Sequence, residues 1–235
     1  MRAAVLVLLS LAVAVPGFGG SGAPYPLHRR VTATVFWIGE PRGHGSSENN
    51  AVSAWDDLWR AHYGGLDDPG PRIAVNGWFP TGFTPKENPF YVDLPYDDFD
   101  DLGRPKSDRG SVVPWARRYE AELRSFARRG DPFSLLKNRW LRISRRGRVC
   151  YAQWEDSGPY RYDDAAYVFG MDDRRPRNRR ARRAGMDVSP AVRSCLGFDG
   201  LNTDSNVVDW LFVEAEQVPD GPWKRVITTR QVYWR

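Results

Sequence analysis

The sequence predicts a mainly β domain whose strands close into a barrel. Short apolar or alternating runs recur along most of the chain, clusters of Gly, Pro, Asn and Asp separate them, and few segments carry helical spacing. Many short strands of this kind fit a barrel better than a layered α/β sheet, in which strands and long helices alternate. The chain has 235 residues, 41% of them hydrophobic, which is enough to bury one sizeable core. A mean hydropathy of -0.56 excludes a multi-span membrane protein.

The elements follow in chain order. "RRVTATVFWIG" (residues 29–39) is β-branched and aromatic and predicts a strand that stops at a glycine. Residues 51–65, "AVSAWDDLWRAHYGG", place Ala51, Trp55, Leu58, Trp59 and His62 at helical spacing and end on paired glycines, which predicts a helix. "IAVNGWF" and "NPFYVDLPY" predict two short strands, the second bounded by prolines. "DDFDDLG", just after it, resembles a calcium loop only superficially, because the alternate oxygen ligand would fall on Leu102. Residues 113–130 combine a proline near the start, good helix formers and a glycine stop, and predict the strongest helix in the chain.

From Lys137 onward, "NRWLRISRRGRVCYAQWED" alternates on either side of Arg146-Gly147 and predicts a hairpin. Strict alternation in its second strand puts Cys150, Ala152, Trp154 and Asp156 on one face, and Tyr151, Gln153 and Glu155 on the other. "MDVSPAVRSCLGF" begins as a strand, after which Ser189 caps a short helix with Pro190 at its first position and Gly197 at its end. "VVDWLFVEAEQV" and "RVITTRQVYW" predict closing strands.

The first residues carry a targeting pattern. Arg2, an apolar run of 13 residues from Ala3 to Val15, and small residues after Pro16 read as a secretory signal peptide over residues 1–23. The run is too short to span a bilayer, so a soluble exported protein is expected. The formal net charge of +5 is almost all arginine, and seven arginines crowd residues 174–183, "RRPRNRRARR". Such a block is either a solvated loop or a contact for a polyanion. With export, an anionic wall polymer fits better than nucleic acid, and no membrane contact is expected after cleavage. Cys150 and Cys195 admit one disulfide or two buried thiols. Two cysteines and three histidines at unrelated spacings predict no zinc site, and no metal or cofactor is expected. No G-x-S-x-G elbow supports a serine hydrolase.

Two acids stand out by context: Asp156, at the entry to the Ser157-Gly158-Pro159 turn, and Asp187, in "GMDVSPAV". The pattern "VCYAQWEDSGPY … GMDVSPAVRSCLG" resembles the double-psi β-barrel family of rare lipoprotein A, the expansins and barwin-like proteins. The resemblance runs from about Asn138 to Val213, and more weakly over the opening strand. It implies a six-stranded barrel with a helical insertion at about 97–136, in one domain over residues 24–235. It also implies an open groove with acids on its floor, and the motif positions carry that role to Asp156 and Asp187. In lytic members the first acid works as general acid/base on a glycosidic bond, and in expansins the second is needed for wall loosening without hydrolysis. Tyr160 and Trp154 are the aromatic candidates for stacking on a sugar. The expected function is therefore a secreted, expansin-like, non-hydrolytic glycan-binding barrel, or alternatively a lytic transglycosylase or endoglycanase using Asp156. A turn-capping role for Asp156 and a structural role for Asp187 are the plain alternatives.

Overall fold

The computed structural model describes residues 25–43 and 49–235. Six strands form the architecture: β1 (His28–Val35), β2 (Tyr91–Leu94), β3 (Arg139–Arg145), β4 (Arg148–Ser157), β5 (Met186–Val188) and β6 (Val207–Val213). They close into a barrel in the order β1-β5-β2-β4-β3-β6. The β1/β5 and β2/β4 pairs are parallel, and the other four are antiparallel. Exchanging β1 with β4, β2 with β5 and β3 with β6 reproduces the same ring with the same parallel pairs. The barrel thus has the connectivity of two interlocked three-strand halves, although the sequence shows no repeat.

The mainly β prediction holds, and the local chemistry behind it is visible. The hairpin turns at Arg146 and Gly147, both at positive φ (47° and 79°), the conformation a two-residue hairpin with matched twist demands. The core is lined by the apolar face of each strand, including Val31, Ala33, Val92, Leu141, Ile143, Ala152, Val188 and Trp210. Cys150 and Cys195 are buried free thiols within it.

Five short helices decorate the barrel: α1 (Trp59–Tyr63), α2 (Arg109–Val112), α3 (Glu120–Arg129), α4 (Ala165–Val168) and α5 (Pro190–Leu196). Among the described residues no helix is long and apolar enough to cross a membrane. The signal-like residues 1–23 lie outside the described residues. α5 is built as the sequence predicts: Ser189 Oγ accepts from the Val192 amide, and Gly197 ends the helix at φ 63°. The same hydroxyl donates to the Pro89 carbonyl at 2.7 Å, so the cap also ties α5 to the start of β2.

Three expectations fail, each for a local reason. The helix over 51–65 shrinks to α1, because the Ser53–Asp56 segment folds back on itself and Asp56 Oδ1 accepts from the Leu58 amide at 2.8 Å. "IAVNGWF" is not a strand; Asn76-Gly77 turns it, with Gly77 and Trp78 left-handed after a 3-10 turn at Ala74–Asn76. "RVITTRQVYW" adds no strand, since β6 already pairs with both β1 and β3 and leaves no open edge. That segment instead runs as a strap, held by one β-bridge, Asp56 with Tyr233, and by scattered hydrogen bonds such as those of Thr228 with Gln153 and of Gln231 with Ser134.

The segment between β2 and β3 is closed on itself by a buried acid. Asp98 accepts from the Ser134 hydroxyl and the Leu135 amide, each at 2.8 Å, and pairs with Arg109. Burial lifts its pKa to about 6, against the pull of those donors. Trp115 follows it into the core, with its indole N–H on the Leu135 carbonyl at 2.6 Å.

Replacing Ser189 with Ala should remove the α5 cap at a cost of about 1 kcal/mol, with a larger loss if the Pro89 link adds to it. Thermal unfolding should then shift down by roughly 2–4 °C per kcal/mol. An unchanged midpoint would show that the cap does not hold α5.

Candidate active site

The site is built by register. Thr34 of β1 pairs with Asp187 of β5, Asp187 with Asp93 of β2, and Asp93 with Asp156 of β4. Paired residues in a sheet project to the same face. Four adjacent strands therefore present Thr34, Asp187, Asp93 and Asp156 as one polar row. Their neighbours Ala33, Val35, Met186, Val188, Val92 and Trp154 turn the other way, into the core.

A single irregularity makes the row possible. Val92 pairs with Trp154, but the next residue, Asp93, pairs with Asp156, so Glu155 is an extra residue in β4. Such a bulge inverts the alternation beyond it. The expected shared face of Trp154 and Asp156 is thereby corrected. Trp154 is fully buried, stacked against Phe212 at 5.8 Å, with its indole N–H on the Asp156 carbonyl at 2.6 Å. Its ring is core and is not available to a sugar. Glu155 forms a buried ion pair with Lys137.

Each member of the row is held. Asp187 Oδ1 accepts from the Thr34 hydroxyl. The Asp187 amide in turn donates to Asp93 Oδ1 at 2.8 Å. Asp156 Oδ1 accepts two amides, Ala54 and Ser157, both at 2.8 Å. Gly158 lies so close to Asp93 that a Cβ there would stand 2.7 Å from Oδ2, so the turn after β4 needs a glycine to admit this acid. A fourth carboxyl, Glu40, reaches the site from the loop after β1 and accepts from Asn50 Nδ2 at 3.3 Å.

These groups line a pocket of about 90 Å³ together with Tyr160 and Asn202. Tyr160 is 37% exposed and takes a left-handed φ of 63°, with the Arg180 guanidinium 5.8 Å from its ring centre. The pocket shares Asn50, Asp156, Ser157 and Tyr162 with a larger cleft of about 740 Å³, which is walled by Ala54, Asp97, Phe99, Lys106 and Trp234. Asp156 thus stands where the pocket meets the cleft.

Crowding of carboxyls away from water favours their neutral forms. Burial, then the charges of Glu40 and Asp156, lifts Asp187 to about 8. Burial lifts Asp156 to about 7 against the pull of its two amides, and lifts Glu40 to about 7. Asp93, the most enclosed, is held well above the ordinary carboxylate range by burial and by its neighbours Asp187 and Asp156. The row therefore keeps protons near neutral pH and can donate them to a bound group. Among the described residues no three His, Cys, Asp or Glu side chains stand in a metal-holding arrangement.

Of the residues singled out in the sequence, Asp156, Asp187 and Tyr160 converge on one pocket, and Trp154 does not join them. Asp93, Glu40 and Thr34 escaped the sequence reading. A lone acid in the apolar run "FYVDLP" is a signal for Asp93, since only a buried partner justifies it. Four of the seven arginines in the run pair within the chain: Arg174, Arg175, Arg177 and Arg182 with Asp172, Asp173, Asp163 and Asp204. No family model matches the chain, and no curated protein matches it.

The raised proton affinities carry a sign for stability. In the unfolded chain these carboxyls ionise near their ordinary values of about 4. In the folded chain they hold their protons to about 7 or 8. Their contribution to stability is therefore full below pH 4 and is lost as pH rises toward 8. Asp93→Asn, which keeps the acceptor for the Asp187 amide, should raise the unfolding midpoint at pH 8 by roughly 2–4 °C per kcal/mol relieved. The gap to the unsubstituted protein should close at pH 4, and a gap of the same size at both pH values would contradict the assignment.

Proposed function

We propose that this chain is an exported double-psi β-barrel that acts on a polysaccharide, cleaving a glycosidic bond with Asp156 as general acid. The double-psi reading is supported by the ring itself, in which strands β1–β3 and β4–β6 interchange with both parallel pairs preserved. It is supported too by the motif residues, with Asp156 closing β4 before Gly158-Pro159 and Asp187 in β5 before the capped α5. Export rests on the pattern of residues 1–23.

The observation that carries the reading is the position of Asp156. It stands at the junction of an open cleft and a row of carboxyls, and holds its proton to about 7. A general acid near neutral pH needs a proton affinity of this order and direct access to the leaving oxygen. The cleft falls in the size range of small-ligand sites, which suits a short stretch of sugar chain. The pocket behind it, at about 90 Å³, is much the smaller of the two. Burial, and after it the charge of Asp97, raise the proton affinity of Asp156, which in turn raises that of Asp187 and Asp93. Tyr160 and Arg180 stand at the rim, where the arginine meets any anionic substituent of a wall polymer.

Binding without cleavage, in the manner of expansins, is the second reading. It is favoured by the two amides on Asp156 Oδ1, which stabilise the ionised form and suit a turn-capping residue. Weighing against it, six of the ten tryptophans are buried and, among the described residues, none is fully exposed.

The two readings separate in one assay. Purified protein incubated with peptidoglycan or β-glucan should release soluble fragments, and Asp156→Asn should reduce release about 10²-fold or more. Co-sedimentation with the insoluble glycan and no release from either polymer would favour binding alone.

A further inference from the structure

Besides Asp156 the wide cleft is lined by Asp97, Asp100 and Asp101; Asp100 pairs with Arg104 and Asp101 is exposed, which leaves Asp97 as the acid fixed in the cleft wall. Asp97 follows β2 at the start of the insertion and is half-buried in the cleft wall. It does not line the small pocket, so it flanks Asp156 on the open side, away from Asp93 and Asp187. Both acids line the same cleft.

Two consecutive residues fix the pair. The Ala54 amide donates to Asp156 Oδ1 at 2.8 Å, and the Trp55 indole N–H donates to Asp97 Oδ1 at 3.0 Å. The Phe99 amide adds a second donor to that Asp97 oxygen, also at 3.0 Å. Trp55 is fully buried and meets Trp154 edge-on at 5.9 Å, while the Trp154 indole donates to the Asp156 carbonyl. The C-terminal strap locks the clamp from outside: the Trp234 indole donates to the Ala54 carbonyl at 3.1 Å, and the Tyr233 amide to the Trp55 carbonyl at 2.8 Å. Both acids are thereby referenced to one rigid backbone step, the kind of support a catalytic pair requires.

Their surroundings assign different tasks. Burial, and after it the charge of Asp97 itself, favour the acid form of Asp156. Burial raises the proton affinity of Asp97, and the Phe99 amide, the Trp55 indole and the Lys106 ammonium in the same cleft oppose that rise and support its anion.

Resting on the glycan-cleaving reading above, we propose that Asp97 is the second catalytic carboxylate of this cleft and that the reaction is hydrolysis. Asp156 gives its proton to the glycosidic oxygen as the bond from that oxygen to the anomeric carbon breaks. A solvent water bonds to the same carbon and loses a proton to Asp97. Asp97 ends protonated and Asp156 ionised, and exchange with solvent restores both. Two carboxylates with a water between them are the requirement for direct displacement at a sugar.

The test is digestion of peptidoglycan and soluble β-glucan in heavy-oxygen water, with fragments read by mass spectrometry. Unsubstituted protein should place one solvent oxygen at each new reducing end. Asp97→Asn should lose about 10²-fold or more in release with an unchanged near-ultraviolet circular dichroism spectrum. Asp97→Ala should regain release on addition of sodium azide, which needs no base, and yield a glycosyl azide. Fragments without solvent oxygen would overturn the hydrolytic assignment whether or not any variant folds. Full release by Asp97→Asn alongside an inactive Asp156→Asn would remove Asp97 while leaving Asp156 as the acid. No fragments from the unsubstituted protein with either polymer would overturn the glycan-cleaving reading, and the role of Asp97 with it.

Discussion

One extra residue in β4 sets the chemistry of this barrel. Glu155 enters the ladder between the Val92–Trp154 and Asp93–Asp156 pairs. With unbroken alternation Asp156 would follow Trp154 into the core, an uncompensated charge among aromatic rings. The bulge turns it instead onto the face occupied by Asp93, Asp187 and Thr34. Glu155, displaced by the same step, is met by the buried Lys137 ammonium. The acid row, the pocket, and the position of Asp156 at its mouth all follow from this local geometry. Bulges commonly re-aim a side chain beside a site in this way.

The rest of the molecule supports the arrangement from several sides. The segment between β2 and β3 is closed on itself by Asp98 and packs Trp115 against Phe212 of β6, and Asp97 and Phe99 from the same segment lie on the cleft wall. The strap reaches back to Ala54 and Trp55 and fixes the amide that donates to Asp156. Most tryptophans are spent on this packing; Trp55, Trp115, Trp154 and Trp210 are all fully enclosed. The row itself opposes stability near neutral pH, since carboxyls that resist ionisation are better accommodated in the unfolded chain. Sites that violate the rules of stable folding in this manner are where function is expected.

Much of the barrel was legible in the sequence because its signals are local. The Arg146-Gly147 turn, the alternation of β3 and the Ser189-Pro190 start of α5 each depend on residues within one or two turns of chain. Asp156 and Asp187 were legible through their motif context. What escaped depends on distant partners. Asp93 is adjacent to Asp187 only through the β2/β5 pairing, nearly a hundred residues apart, and Glu40 gains its neighbours through a loop that folds over the pocket. The bulge leaves no mark in the alternation of "CYAQWED", so Trp154 was placed beside Asp156 when it belongs to the core. The helical spacing at 51–65 was real, but the Ala54 amide is engaged by Asp156 and a turn displaces the helix. The strand signal of "RVITTRQVYW" likewise met a barrel already closed.

The central claim is that register forces these carboxyls together and holds their protons into the neutral range. Carbon-13 NMR titration of the aspartate carboxyls, assigned through Asp156→Asn and Asp187→Asn, tests it without reference to any substrate. The account predicts coupled titrations for Asp156 and Asp187, with apparent midpoints near 7 and 8. Independent titration of both at the ordinary value of about 4 would contradict it.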